Sequence, residues 1–435
     1  MSQQPILYPE DRIPLGKLVP MAMQHVVAMF GATILAPRLM HFDPQVAIFF
    51  SGIGTLLFIV ITGFKVPSYL GSSFAFIGPV LAVTGGKADL VPAALCGIAG
   101  AAALYAVAAV ATMRYGAGWI DRLMPPVVTG TVVAIIGLNL AGASVKDALN
   151  ATLTVACMQD VKNLVVATIT FLSAAAVAVY FRGFLRLLPV LIGVIVGCSV
   201  AILMGVIDEG RVLAIAGAPL FGRPRFVTPC FSWEAILVIA PVFVVLVAEN
   251  KGHIAAISGY MGRDLSPWLG RAYLGDAVAT FISALGGGTP QTTYAENMGV
   301  MAITRVFAIA NFIGAAAIAI LFGVCPKFGA LIQAIPGPVL GGVTLILYGL
   351  ITLMGVKIWL DARVDFSDAR NLVVAGASLI LATGLGLTGV TVGSMNVSGI
   401  ALGTVFALVL NLLVSIGREG PPTGPIAPIA PDGNV

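Results

Sequence analysis

Uncharged apolar runs, each about as long as a bilayer is thick, follow one another along almost the whole sequence. They occupy 18–37, 44–64, 66–86, 90–113, 123–145, 163–181 and 187–207. A charged, proline-containing connection at 208–234 follows, and the pattern resumes at 235–248, 277–295, 306–326 and 328–356. A last uncharged stretch, 371–417, is long enough for two spans broken by the Gly/Ser/Asn-rich piece 384–399. A helix of about 20 apolar residues crosses about 30 Å of hydrocarbon. With an interrupted segment around 290–304 the count is about seven spans before residue 208 and about seven after it. The fold class expected is an all-α polytopic membrane protein.

Composition excludes the alternatives. Only 10% of the 435 residues are charged, against about 25% in soluble domains. That is too few charges to cover the surface of a water-soluble fold. The net charge of +4 is too small and too scattered to suggest nucleic acid. Cys96, Cys157, Cys198, Cys230 and Cys325 stand far apart with no C-x-x-C pair, so neither a disulfide framework nor a zinc site is indicated. The first apolar stretch runs into further spans and reads as a transmembrane segment, not a signal peptide. Gly384–Gly389 matches G-x-G-x-x-G, but it lies between two apolar runs with no strand–helix unit around it and reads as a loop.

Basic residues orient the spans. If the N-terminus is cytoplasmic, 15 of the 23 Lys and Arg fall on the inside, as the positive-inside rule asks. The expected organisation is therefore a cytoplasmic tail at 1–16, a first seven-span repeat at 17–207 and an extracytoplasmic connection at 208–234. A second repeat at 235–417 and a Pro-rich cytoplasmic tail at 418–435 complete it. Both tails lie inside, and the protein is multi-pass in the plasma (bacterial inner) membrane.

The halves share local sequence. Ser72-Ser73-Phe74-Ala75 lines up with Thr292-Thr293-Tyr294-Ala295 at an offset of 220, and Arg114-Tyr115-Gly116-Ala117 lines up with Lys327-Phe328-Gly329-Ala330 at 213. Pro126-Val127, Gly130 and Gly137 line up with Pro338-Val339, Gly342 and Gly349 at 212. Seven is odd, so the second copy enters the membrane from the opposite side. Inverted repeats of this kind build secondary transporters, with the site at the repeat interface. The hydroxyl-rich, β-prone pieces Ser72–Phe76 and Thr292–Ala295 predict two short extended strands in broken spans 3 and 10. Extended backbone at that depth must line a cavity, and the half-helix after each piece turns a positive dipole end toward it.

Two acids stand out. Glu296 directly follows the second extended piece. Glu249 follows a charge-free run of 14 residues, too short to cross alone, so the span must continue through Glu249. A carboxylate at the bilayer centre costs about 2.5–3.5 kcal/mol or more, which makes both functional candidates. His253 lies at i+4 from Glu249 on the same helix face and could relay a proton; a hydrogen-bonded structural role is the alternative. Pairing with Lys251 at the lipid boundary is the alternative for Glu249. Asp276, near the expected start of a span, is assigned to the interface. Gln24-His25 suits either site lining or interhelical bonding.

The segment Glu296-Asn297-Met298-Gly299-Val300-Met301-Ala302-Ile303-Thr304-Arg305 fits [Q/E/P]-N-x-G-x-x-x-x-T-[R/K/G] at every fixed position. With Ala248-Glu249, Gly252-His253, Gln24-His25, Phe30-Gly31-Ala32-Thr33 and Tyr69–Phe76, it resembles the nucleobase/ascorbate transporter family. Glu at 296 favours the uracil permease branch. The likeness covers roughly residues 14–417. It implies a 7+7 inverted fold with a core domain (spans 1–4 and 8–11) and a gate domain (spans 5–7 and 12–14). It also implies uracil:proton symport by a homodimer among membrane lipids, without cofactor or metal. By similarity, Glu249 and Glu296 hold the base, backbone N–H groups of Phe74 and Ala295 meet its carbonyls, and Ala32, Tyr294 and Tyr348 line the pocket. Glu249, His253 and Glu296 would couple the proton. The related uracil permease has Gly where this chain has Ala295. A purine (xanthine or urate) permease and, more remotely, an anion exchanger or channel on the same scaffold are the competing readings.

Overall fold

The structure is a computed structural model that describes residues 6–116, 118–149, 157–386, 389–392 and 395–415. The tail expected at 418–435 lies outside the described residues, as does part of the Gly384–Gly389 loop. In the first half the order is α1 (Leu15–Leu39), α2 (Pro44–Ile61), β1 (Leu70–Ser72), α3 (Ile77–Thr84), α4 (Val91–Tyr115) and α5 (Gly118–Leu123). Then come α6 (Pro126–Ala148), α7 (Met158–Tyr180), α8 (Pro189–Leu203) and α9 (Glu209–Gly217). The second half runs α10 (Trp233–Ile239), α11 (Phe243–Met261), α12 (Leu269–Leu285), β2 (Gln291–Thr293), α13 (Ala295–Thr304) and α14 (Ile309–Gly323). It ends with α15 (Pro326–Gln333), α16 (Gly337–Asp361), α17 (Ala369–Leu385), β3 (Val390–Val392), β4 (Met395–Val397) and α18 (Gly399–Ser415).

Prolines set many of the helix starts. Pro44, Pro92, Pro126, Pro189 and Pro338 occupy the first turns of α2, α4, α6, α8 and α16, where a missing N–H costs nothing. Asp43 caps α2, its carboxylate accepting from the Gln45 N–H at 2.8 Å. As the short run before Glu249 required, α10 and α11 form one apolar rod over Trp233–Met261, joined by a tight turn at Ala240–Val242 around Pro241.

Three boundaries differ from expectation. The span placed at 277–295 begins eight residues earlier, at Leu269, and carries Arg271 and Asp276 within the helix. The run 328–356 is divided: α15, set at 81° to α14, ends at Gln333, and Pro336-Gly337-Pro338 then starts α16 afresh. The piece 384–399 holds a hairpin, with Val390 opposite Val397 and Thr391 opposite Asn396. That makes a second pair of strands, beyond the two expected in spans 3 and 10.

The central pair shows the repeat most directly. β1 runs antiparallel to β2 with Leu70 opposite Thr293, Gly71 opposite Thr292 and Ser72 opposite Gln291. Adding the offset of 220 to the pair Gly71·Thr292 and swapping strands returns Gln291·Ser72, which is also a pair. The backbone bonds flanking the ladder, Ser73 N–H to Pro290 O at 2.9 Å and Tyr294 N–H to Tyr69 O at 3.1 Å, exchange with each other at an offset one residue longer than that of the sequence match.

Helix packing follows the same rule. α2 lies on α14 as α4 lies on α12, and α7 on α8 as α17 on α18. The chain therefore gathers in two sets: α1–α4 with α10–α14, and α6–α8 with α16–α18. Within the second set α6 and α16 approach closely at small residues, the usual device between helices in lipid. A Cβ on Gly355 would fall 2.4 Å from the Gly130 carbonyl oxygen.

Candidate functional site

The β1–β2 ladder places the starts of two short helical segments close together. After β1 the chain makes a 3₁₀ turn at Phe74–Phe76 and continues as α3; after β2 it enters α13 at Ala295. Ser73 and Tyr294, the residues before these starts, are extended and give no side-chain cap. Neither start is closed by a side-chain cap, which leaves the Phe74 and Ala295 N–H groups at the open ends of their segments.

Glu296 sits in the first turn of α13. Glu249 sits on α11, which packs against α13. Both carboxylates are half-buried, whereas Ala248, Asn250 and Asn297 around them are closed off at 1%, 0% and 0% exposure. The Glu249 Oε2 atom is buried without a protein partner. So is the hydroxyl of Tyr348, whose ring meets the Phe74 ring edge-on at 6.3 Å across the two helix sets. Two carboxylates and two uncapped helix starts thus lie on elements that the β1–β2 ladder and the packing of α11 on α13 hold together.

A ring of buried bonds holds these groups in position. His253 Nδ1 is 2.7 Å from Thr293 Oγ1, tying α11 to the strand that leads into Ala295 and Glu296. The expected His253–Glu249 contact is not what anchors the imidazole. The Asn297 amide donates to the His25 carbonyl at 3.1 Å and meets His25 Nδ1 at 3.1 Å, fixing α13 to α1. Tyr294 is 3% exposed. Its hydroxyl accepts from Thr33 Oγ1 at 3.2 Å and donates to the Ser72 carbonyl at 3.1 Å. It braces the ladder. Ala32, beside Thr33 on α1, is buried at 2% exposure.

Asp276 corrects an expectation. It is fully buried, at 0% exposure, and its Oδ2 accepts from the Asn250 amide at 2.5 Å. The same amide donates to the Tyr105 hydroxyl at 3.1 Å, and the Tyr273 hydroxyl donates to the Val247 carbonyl at 3.0 Å. Helices α4 and α12 therefore grip α11 on both sides of Glu249. Asn250 and Tyr105 carry no individual signal in the sequence, and Asp276 reads as interfacial there because it stands beside the span start expected at 277.

Replacing Asp276 by Leu is expected to leave one of the two Asn250 amide N–H groups without its acceptor and cost about 1–3 kcal/mol of stability. Thermal unfolding in detergent reads this directly. The Asn250→Leu/Asp276→Leu double variant should lose less than the sum of the single losses; strict additivity would dissolve the pair.

A bundle of paired inverted elements, with two broken segments meeting at its centre and two acids beside them, defines a polytopic membrane transporter. The chain belongs to the nucleobase/ascorbate transporter family: residues 16–412 match the family described as "Permease family". It is 44% identical over 422 residues to the "Putative pyrimidine permease RutG" of Escherichia coli, covering 95% of this chain and 93% of that protein. It is 42% identical over 421 residues to the uracil permease of Bacillus caldolyticus, covering 94% and 95%. Among solved structures, the transmembrane domain of the cyanobacterial bicarbonate transporter BicA superposes with a TM-score of 0.61 at 13% identity, over 94% of this chain and 100% of that one. A murine Solute Carrier 26 family anion transporter gives 0.64 at 10% identity, over 94% and 70%. At such identities the likeness establishes the 7+7 fold alone.

Proposed function

We propose that the protein imports uracil, or a close pyrimidine base, by proton symport with alternating access. The observation that carries this reading is the placing of Glu249 and Glu296 on two helices that pack together, α11 and α13, beside two uncapped helix starts at the β1–β2 ladder. Each carboxylate accepts from ring N–H groups, and the N–H groups of Phe74 and Ala295 satisfy the ring carbonyls. Ala32, Tyr294 and Tyr348 shape the apolar remainder. The relatives named for pyrimidine and uracil transport support the substrate class.

A neutral base gains nothing from the membrane potential, so accumulation needs a coupled ion. One proton moving down about 100 mV yields about 2.3 kcal/mol. That drives roughly 50-fold accumulation at about 1.4 kcal/mol per decade. Glu249 and Glu296, with His253 a turn beyond Glu249, supply the proton site. The set α1–α4 with α10–α14 acts as the core that carries the base, and the set α6–α8 with α16–α18 acts as the gate. The protein works as a homodimer in the plasma membrane with both termini cytoplasmic.

The test is uptake of labelled uracil in permease-deficient cells, with and without a protonophore. Saturable uptake that collapses with the proton gradient is expected. Unlabelled thymine and xanthine as competitors separate a pyrimidine site from a purine one. Anion currents in the absence of any base would overturn the reading.

A further inference from the structure

The residues ahead of α1 form a built contact with the rest of the protein. Leu7 bridges Val306 in parallel. Its N–H donates to the Arg305 carbonyl at 3.0 Å, and its own carbonyl accepts from Phe307 N–H at 2.7 Å. The Pro9 carbonyl accepts from Ile309 N–H at 3.1 Å, and Ile13 packs on Val306 and Ala308 in a small apolar cluster of their own. The same segment also reaches the turn after α11. There the Arg263 guanidinium lies 3.6 Å above the centre of the Tyr8 ring and bonds Glu10 Oε1 at 2.7 Å. The Asp11 carboxylate accepts from Tyr8 N–H at 2.7 Å, which sets the bend that presents Tyr8 and Glu10 together.

These two attachments fall at the ends of the two helices that carry the acids. Arg305 caps α13, which begins next to Glu296, and Arg263 follows the Gly262 cap of α11, which carries Glu249. At about 1.5 Å per residue, Glu296 is about 12 Å from the end of α13 and Glu249 about 18 Å from the end of α11. Rigid helices of that length transmit a displacement at one end to the other. The segment before the second repeat is also held by backbone bonds, there to helices that carry neither acid. Ahead of α10, Gly222 N–H donates to Val324 O, Val227 N–H to Gly286 O and Cys230 N–H to Pro92 O, joining the ends of α14 and α12 to the start of α4. Under the inverted repeat, the segment before α1 and the segment before α10 are equivalents.

We propose that residues 7–13 are a clip in which Tyr8, Glu10 and Arg263 position the ends of α11 and α13 and thereby set the spacing of Glu249 and Glu296. These three are positioning residues, and the consequence for transport rests on the two acids being the base site. Tyr8→Ala and Arg263→Ala are each expected to raise the KM for uracil about fivefold. That is about 1 kcal/mol at 1.4 kcal/mol per decade, the scale of one exposed cation–π contact with one exposed ion pair. The maximal rate per transporter molecule in the membrane should change less. Tyr8→Phe keeps the ring under the guanidinium and should keep the wild-type KM. The Tyr8→Ala/Arg263→Ala double variant should be no worse than the worse single one. A second readout needs no substrate: amide exchange at Phe307 and Ile309 should quicken in Tyr8→Ala. Unchanged exchange there, or a KM untouched in both alanine variants, overturns the clip. Failure of the wild-type protein to take up uracil while that exchange quickens overturns the proposed function and leaves the clip standing.

Discussion

Glu249→Gln and Glu296→Gln are each expected to cut the initial rate of uracil uptake about 100-fold and to abolish accumulation. Glutamine keeps the size of glutamate but puts an NH₂ donor where an acceptor faced the ring N–H groups, and it cannot take up a proton. A hydrogen bond to a charged group is worth about 1.5–3 kcal/mol, and two decades of rate correspond to about 2.8 kcal/mol. The neighbouring side chains Asn250 and Asn297 commit their amide N–H groups to Asp276, Tyr105 and His25, which holds them in place beside the acids. Exchange of labelled for unlabelled base across energised vesicles separates holding the base from coupling the proton. If both acids hold the base, exchange falls together with net uptake. Exchange preserved at wild-type rate in one variant would assign that residue to the proton alone. Concentrative uptake surviving in either variant would sink the site as drawn.

What was legible in the sequence was the part that the bilayer enforces. A chain with so few charges shows its spans as runs, and a run of only 14 residues before Glu249 had to be completed by the residues beyond it; α10 and α11 do this. The match of Ser72–Ala75 with Thr292–Ala295 falls on the two pieces that pair as β1 and β2, so the repeat located the strands, although the backbone bonds flanking the ladder exchange at an offset one residue longer. Partner choice was not. His253 lies at the right spacing for Glu249 yet bonds Thr293, because the ladder brings a hydroxyl from 40 residues away to 2.7 Å. Asp276 was misplaced for a related reason. Hydropathy sees an acid and an arginine near a span start, whereas helix α12 turns the acid inward onto an amide that no local pattern announces. The clip before α1 was hidden in the same way, since residues 6–13 read as a polar tail until Arg263 and Val306 are placed beside them.

Tyr294 is where the two kinds of information meet, and Gly71→Ala is the substitution that tests it. A Cβ at Gly71 would fall 2.4 Å from Tyr294 Cε2 and Cζ and 2.7 Å from its hydroxyl oxygen. The ring cannot swing aside cheaply. It is buried, and its hydroxyl is fixed between Thr33 and the Ser72 carbonyl. Tyr294 immediately precedes Ala295 and Glu296, so relief of the clash shifts the N–H group and the carboxylate proposed to meet the base. Overpacking of this kind costs about 1–3 kcal/mol, which predicts a loss of roughly tenfold or more in uptake. Gly252→Ala, one residue from His253, and Gly349→Ala, beside Tyr348, meet nothing within 4 Å and should transport normally. If the damage passes through the ring, Gly71→Ala combined with Tyr294→Leu should be no worse than Tyr294→Leu alone, because the partner of the clash is gone. Normal uptake in Gly71→Ala would mean that the ladder and Tyr294 have slack the packing does not show, and the rigid placement of Ala295 and Glu296 would have to be abandoned.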